Sequence, residues 1–126
     1  MKKESGMTLI ELMISVAIIS LALLAAVFIV VEGRQISMDA RARLLAANAA
    51  RSILETVKET PLNSIATIDE SDYIPAGLNS ASILLTTNPA NVTNVTLATV
   101  TITVSWLGAK NRSESFSLTT QRSAYS

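Results

Sequence analysis

A single carboxylate lies at the edge of the longest apolar segment of the chain. Glu11 is the only charged residue between Ser5 and Val31. A carboxylate costs about 2.5–3.5 kcal/mol at the centre of a membrane helix and less near its ends. We therefore expect a cation to meet it. Cleavage of the Gly6–Met7 peptide bond would create such a cation, a new α-amino group that pairs with Glu11 of the same chain or of a neighbour.

The element that must position Glu11 is a helix long enough to cross a membrane. The twenty residues from Leu12 to Val31 carry no charge. At about 1.5 Å per residue they span roughly 30 Å, the thickness of the hydrocarbon core. The run is longer than that of a secretory signal and has no small-x-small cleavage site after it. A plain signal anchor and a leader that is cut before the run both fit, and Lys2 and Lys3 favour a cytoplasmic N-terminus.

The overall composition excludes several classes of function. The chain has 126 residues, ten Lys+Arg, ten Asp+Glu, and neither Cys nor His. The length indicates one domain. Without Cys or His there is no disulfide, no thiolate zinc site and no catalysis by either residue type. The balanced charge gives no indication of nucleic-acid binding. We predict no cofactor, no metal and no enzymatic activity.

The segment Gly6-Met7-Thr8-Leu9-Ile10-Glu11, followed by the apolar run, resembles the N-terminal signature of type IV pilins and type II secretion pseudopilins. In that family the prepilin peptidase cuts after the glycine and N-methylates the new first residue. The glutamate serves methylation and subunit docking. The resemblance therefore implies that Met1–Gly6 is a leader, that Met7 becomes N-methylated, and that Glu11 is the assembly carboxylate.

The resemblance also implies partners and a location. The partners would be other pilin or pseudopilin subunits, the prepilin peptidase and the inner-membrane assembly platform. We expect a single-pass protein of the bacterial inner membrane that later enters a periplasmic or extracellular filament. Many major pilins have a proline in the apolar run and a C-terminal disulfide, and this chain has neither, which favours a minor subunit. A major pilin and a monomeric membrane-anchored binding module stay open as alternatives.

Beyond the apolar run the helical pattern continues to Pro61, which disfavours helix at the residue before it. The sequence predicts one helix from about residue 8 to residue 59. Apolar residues at intervals of three and four predict the stripe that a sheet would cover: Ile36, Ala40, Leu44, Ala47, Ala50, Leu54 and Val57. Three cations, Arg41, Arg43 and Arg51, are interpreted as a solvated face and not as a patch for lipid or a partner.

The C-terminal part changes to a period of two, which is typical of half-buried strands. The residues from Val100 to Trp106 alternate between apolar and hydroxyl side chains, and Phe116 and Leu118 alternate likewise. The pattern predicts an antiparallel hairpin, with Trp106 packed on the helix. A further strand is predicted at 83–86, and 92–97 is predicted to be a third strand or an extension of the first.

Together these elements predict an α+β, pilin-like fold, a long N-terminal helix with a small antiparallel sheet on its outer half. The predicted divisions are a leader at 1–6, a transmembrane and filament-core helix at 7–31, and a globular domain at 32–126. The acidic segment Asp69-Glu70-Ser71-Asp72 has the oxygen ligands that calcium prefers. It lacks the glycine and distal glutamate of an EF-hand loop, so a solvated acidic turn is the favoured interpretation.

Overall fold

The computed structural model describes residues 8–124. One helix, α1, spans Leu9–Glu59 without interruption, in agreement with the predicted limits. It contains no proline and ends two residues before Pro61. Two short 3₁₀ helices follow at Leu62–Thr67 and Glu70–Tyr73.

Three antiparallel strands complete the fold: β1 at Ser82–Asn88, β2 at Leu97–Leu107 and β3 at Ser113–Ser123. Their order in the sheet is β1-β2-β3. Val104 of β2 is paired with Ile83 on one side and with Phe116 on the other. Buried residues alternate with less buried ones along β2, so one face of the strand points inward. The α+β, pilin-like architecture that the sequence predicts is confirmed.

The connection before β2 differs from the sequence prediction. Of the predicted strand residues 92–97, only Leu97 lies in a strand, because β2 begins there and 92–96 form a loop. The side-chain oxygen of Asn91 accepts hydrogen bonds from the Thr93 backbone N–H at 3.1 Å and from its hydroxyl at 2.7 Å. Such a local turn competes with strand pairing. In the loop Val92 is buried in the core.

The chain divides into two compact units after Ser37. The core lies in the second unit, where α1 packs on the inner face of the sheet. Its fully buried side chains include Ile53, Ile65, Val100 and Ile102, and Trp106 is only 3% exposed. The prediction that Trp106 packs with the helix is confirmed, because it belongs to the same buried cluster as Ala46, Ala50, Ile53 and Val57.

The predicted apolar stripe is wrong in its first half. Leu44 is 61% exposed and Ala40 is also exposed, whereas Ala46, Ala49, Ala50, Ile53 and Val57 are buried. Ile36, in the first unit, is 65% exposed. Apolar side chains of this part of the helix also lie outside the buried face, as at Ala40 and Leu44, so apolar spacing alone does not choose a face. Ala46 and Ala50 lie on the buried face, where small side chains leave room for the sheet.

Candidate processing and assembly site

The structure places one of the three predicted site residues. Gly6 and Met7, the proposed cleavage and methylation positions, lie outside the described residues. Glu11 lies in the first turn of α1, and its side chain is exposed. Carboxylates are favourable at this position because they complement the positive end of the helix dipole.

Thr8 directly precedes α1 and is not among the site residues predicted from the sequence. Its carbonyl accepts the Leu12 N–H at 3.1 Å, and its Oγ1 accepts the Glu11 N–H at 3.3 Å. A hydroxyl that bonds the N–H three residues later is an N-cap. The spacing Thr-x-x-Glu is that of a capping box, a signal that could have identified Thr8 from the sequence. The cap fixes Glu11 in the first helical turn.

Glu11 has no cationic partner among residues 8–124. Within this part of the chain the ion pair that is found joins Arg43 to Glu114, at 3.4 Å. The expected partner of Glu11 would have to come from residues before Thr8 or from a neighbouring molecule.

The helix after Glu11 presents an apolar surface on all sides. The large apolar side chains from Leu12 to Val31 are between 49% and 69% exposed. The two hydroxyls in the run are satisfied internally, since Ser15 donates to the Glu11 carbonyl and Ser20 to the Val16 carbonyl, both at 2.8 Å. By length and composition this one helix could cross a membrane. A helix that is apolar all round needs cover from lipid or from other chains.

The acidic segment after the helix is held by local hydrogen bonds. Asp69 Oδ1 accepts the Ser71 hydroxyl at 2.6 Å and the Ser71 N–H at 3.0 Å, and these two bonds lower the pKa of Asp69 from its ordinary value of 3.8. Glu70 Oε1 accepts the Leu85 N–H of β1 at 3.3 Å. Within residues 8–124 no group of three carboxylates is placed to hold a metal ion. The segment caps a 3₁₀ helix and ties it to the sheet.

Arg41, Arg43 and Arg51, interpreted from the sequence as a solvated face, are exposed. They do not lie together. Arg43 reaches Glu114 at the start of β3, and the exposed fraction of its side chain is 69%. Arg41 lies about 160° around α1 from Arg43 and lines a surface groove together with Gly77, Asn79 and Ala109.

Comparison with known proteins identifies the N-terminal segment. Residues 1–27 match the family model described as the prokaryotic N-terminal methylation motif. No curated protein and no solved structure matches the chain. The matched range contains Gly6, Met7 and Glu11 together with most of the apolar run. The chain therefore carries the N-terminal signature of the type IV pilin family, whose members are processed by prepilin peptidase, on an α+β architecture of the pilin kind.

Proposed function

We propose that this protein is a structural subunit of a type IV pilus or a type II secretion pseudopilus and that it polymerises through its apolar N-terminal helix. The observation that carries the proposal is Glu11, an exposed carboxylate in the first turn of a helix whose next twenty residues are uncharged and uncovered. A carboxylate does not stabilise a plain membrane anchor, whereas in a bundle of helices it can pair with a cation and so set the register of the helices.

The proposal assigns a role to each N-terminal position. Residues 1–6 are the leader, cleavage falls between Gly6 and Met7, and Met7 is N-methylated. Residues 7–31 first cross the inner membrane with the N-terminus cytoplasmic, and later form the filament core. Residues 32–126 form the globular part, which ends in the periplasm or outside the cell.

Docking follows from the electrostatics of a dry bundle. An incoming subunit with a free amine at Met7 meets Glu11 of a subunit that is already assembled. Apolar surface supplies the attraction between the helices, and the ion pair selects one register, because an unpaired buried charge is costly. The small three-stranded domain and the lack of Cys support a minor subunit.

The test measures assembly separately from processing. In cells that carry the native assembly machinery, Glu11→Leu is expected to reach the membrane, because the change makes the segment more apolar. It is also expected to be cut after Gly6. The ratio of this subunit in sheared filaments to that in membranes should then fall at least about tenfold, the factor that corresponds to about 1.4 kcal/mol. Ser15→Ala, one turn further along, is the matched control and should leave the ratio unchanged.

Two outcomes would contradict the proposal. A mature protein that still contains Met1–Gly6 in intact-mass analysis would exclude the processing step. Gly6→Val should block the cleavage and so give this uncleaved form. An unchanged filament-to-membrane ratio for Glu11→Leu would exclude Glu11 as the docking group and favour the anchored binding module.

A further inference from the structure

The sheet has a side that is turned away from α1, which we call the outer face. Along β2 buried residues alternate with partly exposed ones, and the odd-numbered residues from Leu97 to Leu107 point outward. They pair with odd-numbered residues of β3 and, from Thr99 to Ser105, with even-numbered residues of β1. We define the outer face by these outward positions of the three strands.

The outer face carries no charged side chain. Its residues are serines and threonines, together with two amides and three leucines. Glu114 and Arg122 belong to β3 but alternate to the side that packs on α1, where Glu114 contacts Arg43 and Arg122 donates to the Thr60 carbonyl. About a quarter of the residues of an average protein are charged. The absence of charge also extends along the chain, because residues 73–109 contain no charged residue.

The hydroxyls of the outer face form rows across the strands. Thr101 Oγ1 lies 3.3 Å from Thr119 Oγ1, and Thr103 Oγ1 lies 3.2 Å from Ser117 Oγ. A hydroxyl has one donor and two acceptor positions, so each pair keeps one O–H donor and several acceptor positions for a further partner. The outer face can therefore both donate and accept hydrogen bonds without a charged group.

The shape of the outer face is long and narrow. β2 has eleven residues, which at about 3.4 Å per residue extend over roughly 35 Å. The axes of the two outer strands are about 10 Å apart, because neighbouring strands are separated by about 4.8 Å. A linear polymer that lies along the strands fits this shape better than a compact ligand, since the outer face is part of an open sheet.

The composition of the outer face disfavours the charged partners and the usual protein partners. Nucleic acids and anionic lipids are bound through lysine and arginine, which the face lacks. The centres of protein interfaces are enriched in aromatic residues, methionine and arginine and depleted in serine, the reverse of what is found here. What remains is a partner that is neutral and rich in hydroxyls.

A neutral polysaccharide has the chemistry that complements this surface. Its hydroxyls donate and accept hydrogen bonds as those of the outer face do, and neither side has to give up the hydration of a charge. Leu84 and Leu97 are 60% and 52% exposed on the same face, where they can contact the apolar C–H faces of sugar rings.

We propose that the outer face binds a neutral, hydroxyl-rich polysaccharide whose chain lies along the strands. The inference goes beyond the proposed function, because it concerns a surface of a single subunit. Each hydrogen bond to the polymer replaces one to water, so the contact made by one subunit is weak. Repetition of the subunit along a filament would strengthen it by avidity.

The test measures the retardation of the full-length protein on columns of two neutral polysaccharides, cellulose and chitin. The protein is kept in a detergent without a sugar headgroup, because an alkyl glycoside would compete for the outer face. We expect retardation on at least one of the two columns, with a change below about twofold between about 50 and 500 mM NaCl. Carboxymethyl cellulose, which has the same backbone with added charge, should retard the protein less.

Substitutions of Thr119, at the exposed centre of β3, show whether the outer face makes the contact. Thr119→Glu and Thr119→Lys should each lower the retardation about fivefold, because a charge covered by a neutral polymer loses its hydration. Thr119→Ser keeps the hydroxyl and should retain at least half of it. Ser52→Glu and Ser52→Lys, on the exposed side of α1, are the matched controls and should leave it unchanged. The emission of Trp106, the single tryptophan, shows that each variant is folded.

Three results would overturn the proposal. The first is no retardation of the wild type on either neutral column. The second is an opposite response to Thr119→Glu and Thr119→Lys, which would indicate an electrostatic contact with a charged partner. The third is an equal loss in the Ser52 variants, which would place the contact elsewhere. Because single subunits are measured, none of these results depends on cleavage after Gly6 or on assembly.

Discussion

The two halves of α1 are both rich in apolar side chains, but their surroundings differ. From Leu12 to Val31 the helix is apolar on every side and nothing in the described chain covers it. From Ala42 to Val57 one face is apolar and buried under the sheet, whereas most of the exposed side chains are charged or polar. The angular width of the apolar surface, more than its hydrophobicity, therefore distinguishes a helix that lipid or other chains must cover from a helix that packs within its own domain.

Removal of the first half of α1 should have the largest effect on the difference between the two halves. A chain without residues 1–33 should be soluble and monomeric without detergent and should unfold cooperatively, because all the buried side chains of α1 lie beyond Ala42. Size-exclusion chromatography and thermal unfolding followed by circular dichroism check this. Aggregation of the truncated chain would mean that the first half also stabilises the domain.

Truncation of Trp106 should give the largest effect of a single substitution. The indole is 3% exposed, so Trp106→Ala should lower the free energy of unfolding by about 3–5 kcal/mol in urea titrations. Trp106→Phe should lose much less, because the indole Nε1 has no hydrogen-bond partner within the described residues. Leu44→Ala on the exposed side of α1 is the control, with a change below about 0.5 kcal/mol.

Two neighbouring alanines test which face of α1 meets the sheet. Ala46 is fully buried and Ala47 only partly, although the sequence pattern selected Ala47. Ala46→Leu should lower the free energy of unfolding by about 1–3 kcal/mol through overpacking. Ala47→Leu should change it by less than about 0.5 kcal/mol. A larger loss of free energy of unfolding for Ala47→Leu than for Ala46→Leu would support the apolar stripe that the sequence predicts.

The smallest expected effect concerns the pH dependence of the acidic turn. The hydrogen bonds from Ser71 favour the charged form of Asp69 and lower its pKa in the folded state. The stabilisation is therefore present above pH 3.8 and is lost as the pH falls through the lowered pKa. The urea midpoints of the wild type and of Asp69→Ala should differ slightly at neutral pH and converge well below pH 3.8. A constant difference at all pH values would assign the effect to packing.

Several elements could be predicted from the sequence because their signals are local. Pro61 limits α1, and no residue before it within the helix breaks the backbone pattern. The alternation from Val100 to Trp106 predicts β2, although the strand is longer at both ends. β1 is longer than predicted because its pairing with β2 continues to Asn88, beyond the apolar residues that mark its start.

The residues of the candidate site also differ in how far a local sequence pattern predicts their roles. The spacing of Gly6, Met7 and Glu11 is a local pattern of the sequence, and the match to the methylation motif spans residues 1–27, which include all three. Thr8 was missed, although the Thr-x-x-Glu spacing was present, because it was interpreted only as part of the motif. Its role as N-cap became evident from the hydrogen bond to the Glu11 N–H.

The order of the elements, the apolar run and the N-terminal signature follow from the sequence alone, because each depends on residues that are neighbours in the chain. The choice of the buried face of α1 depends on tertiary packing, since apolar side chains such as Leu44 also lie outside that face and the position of the sheet selects among them.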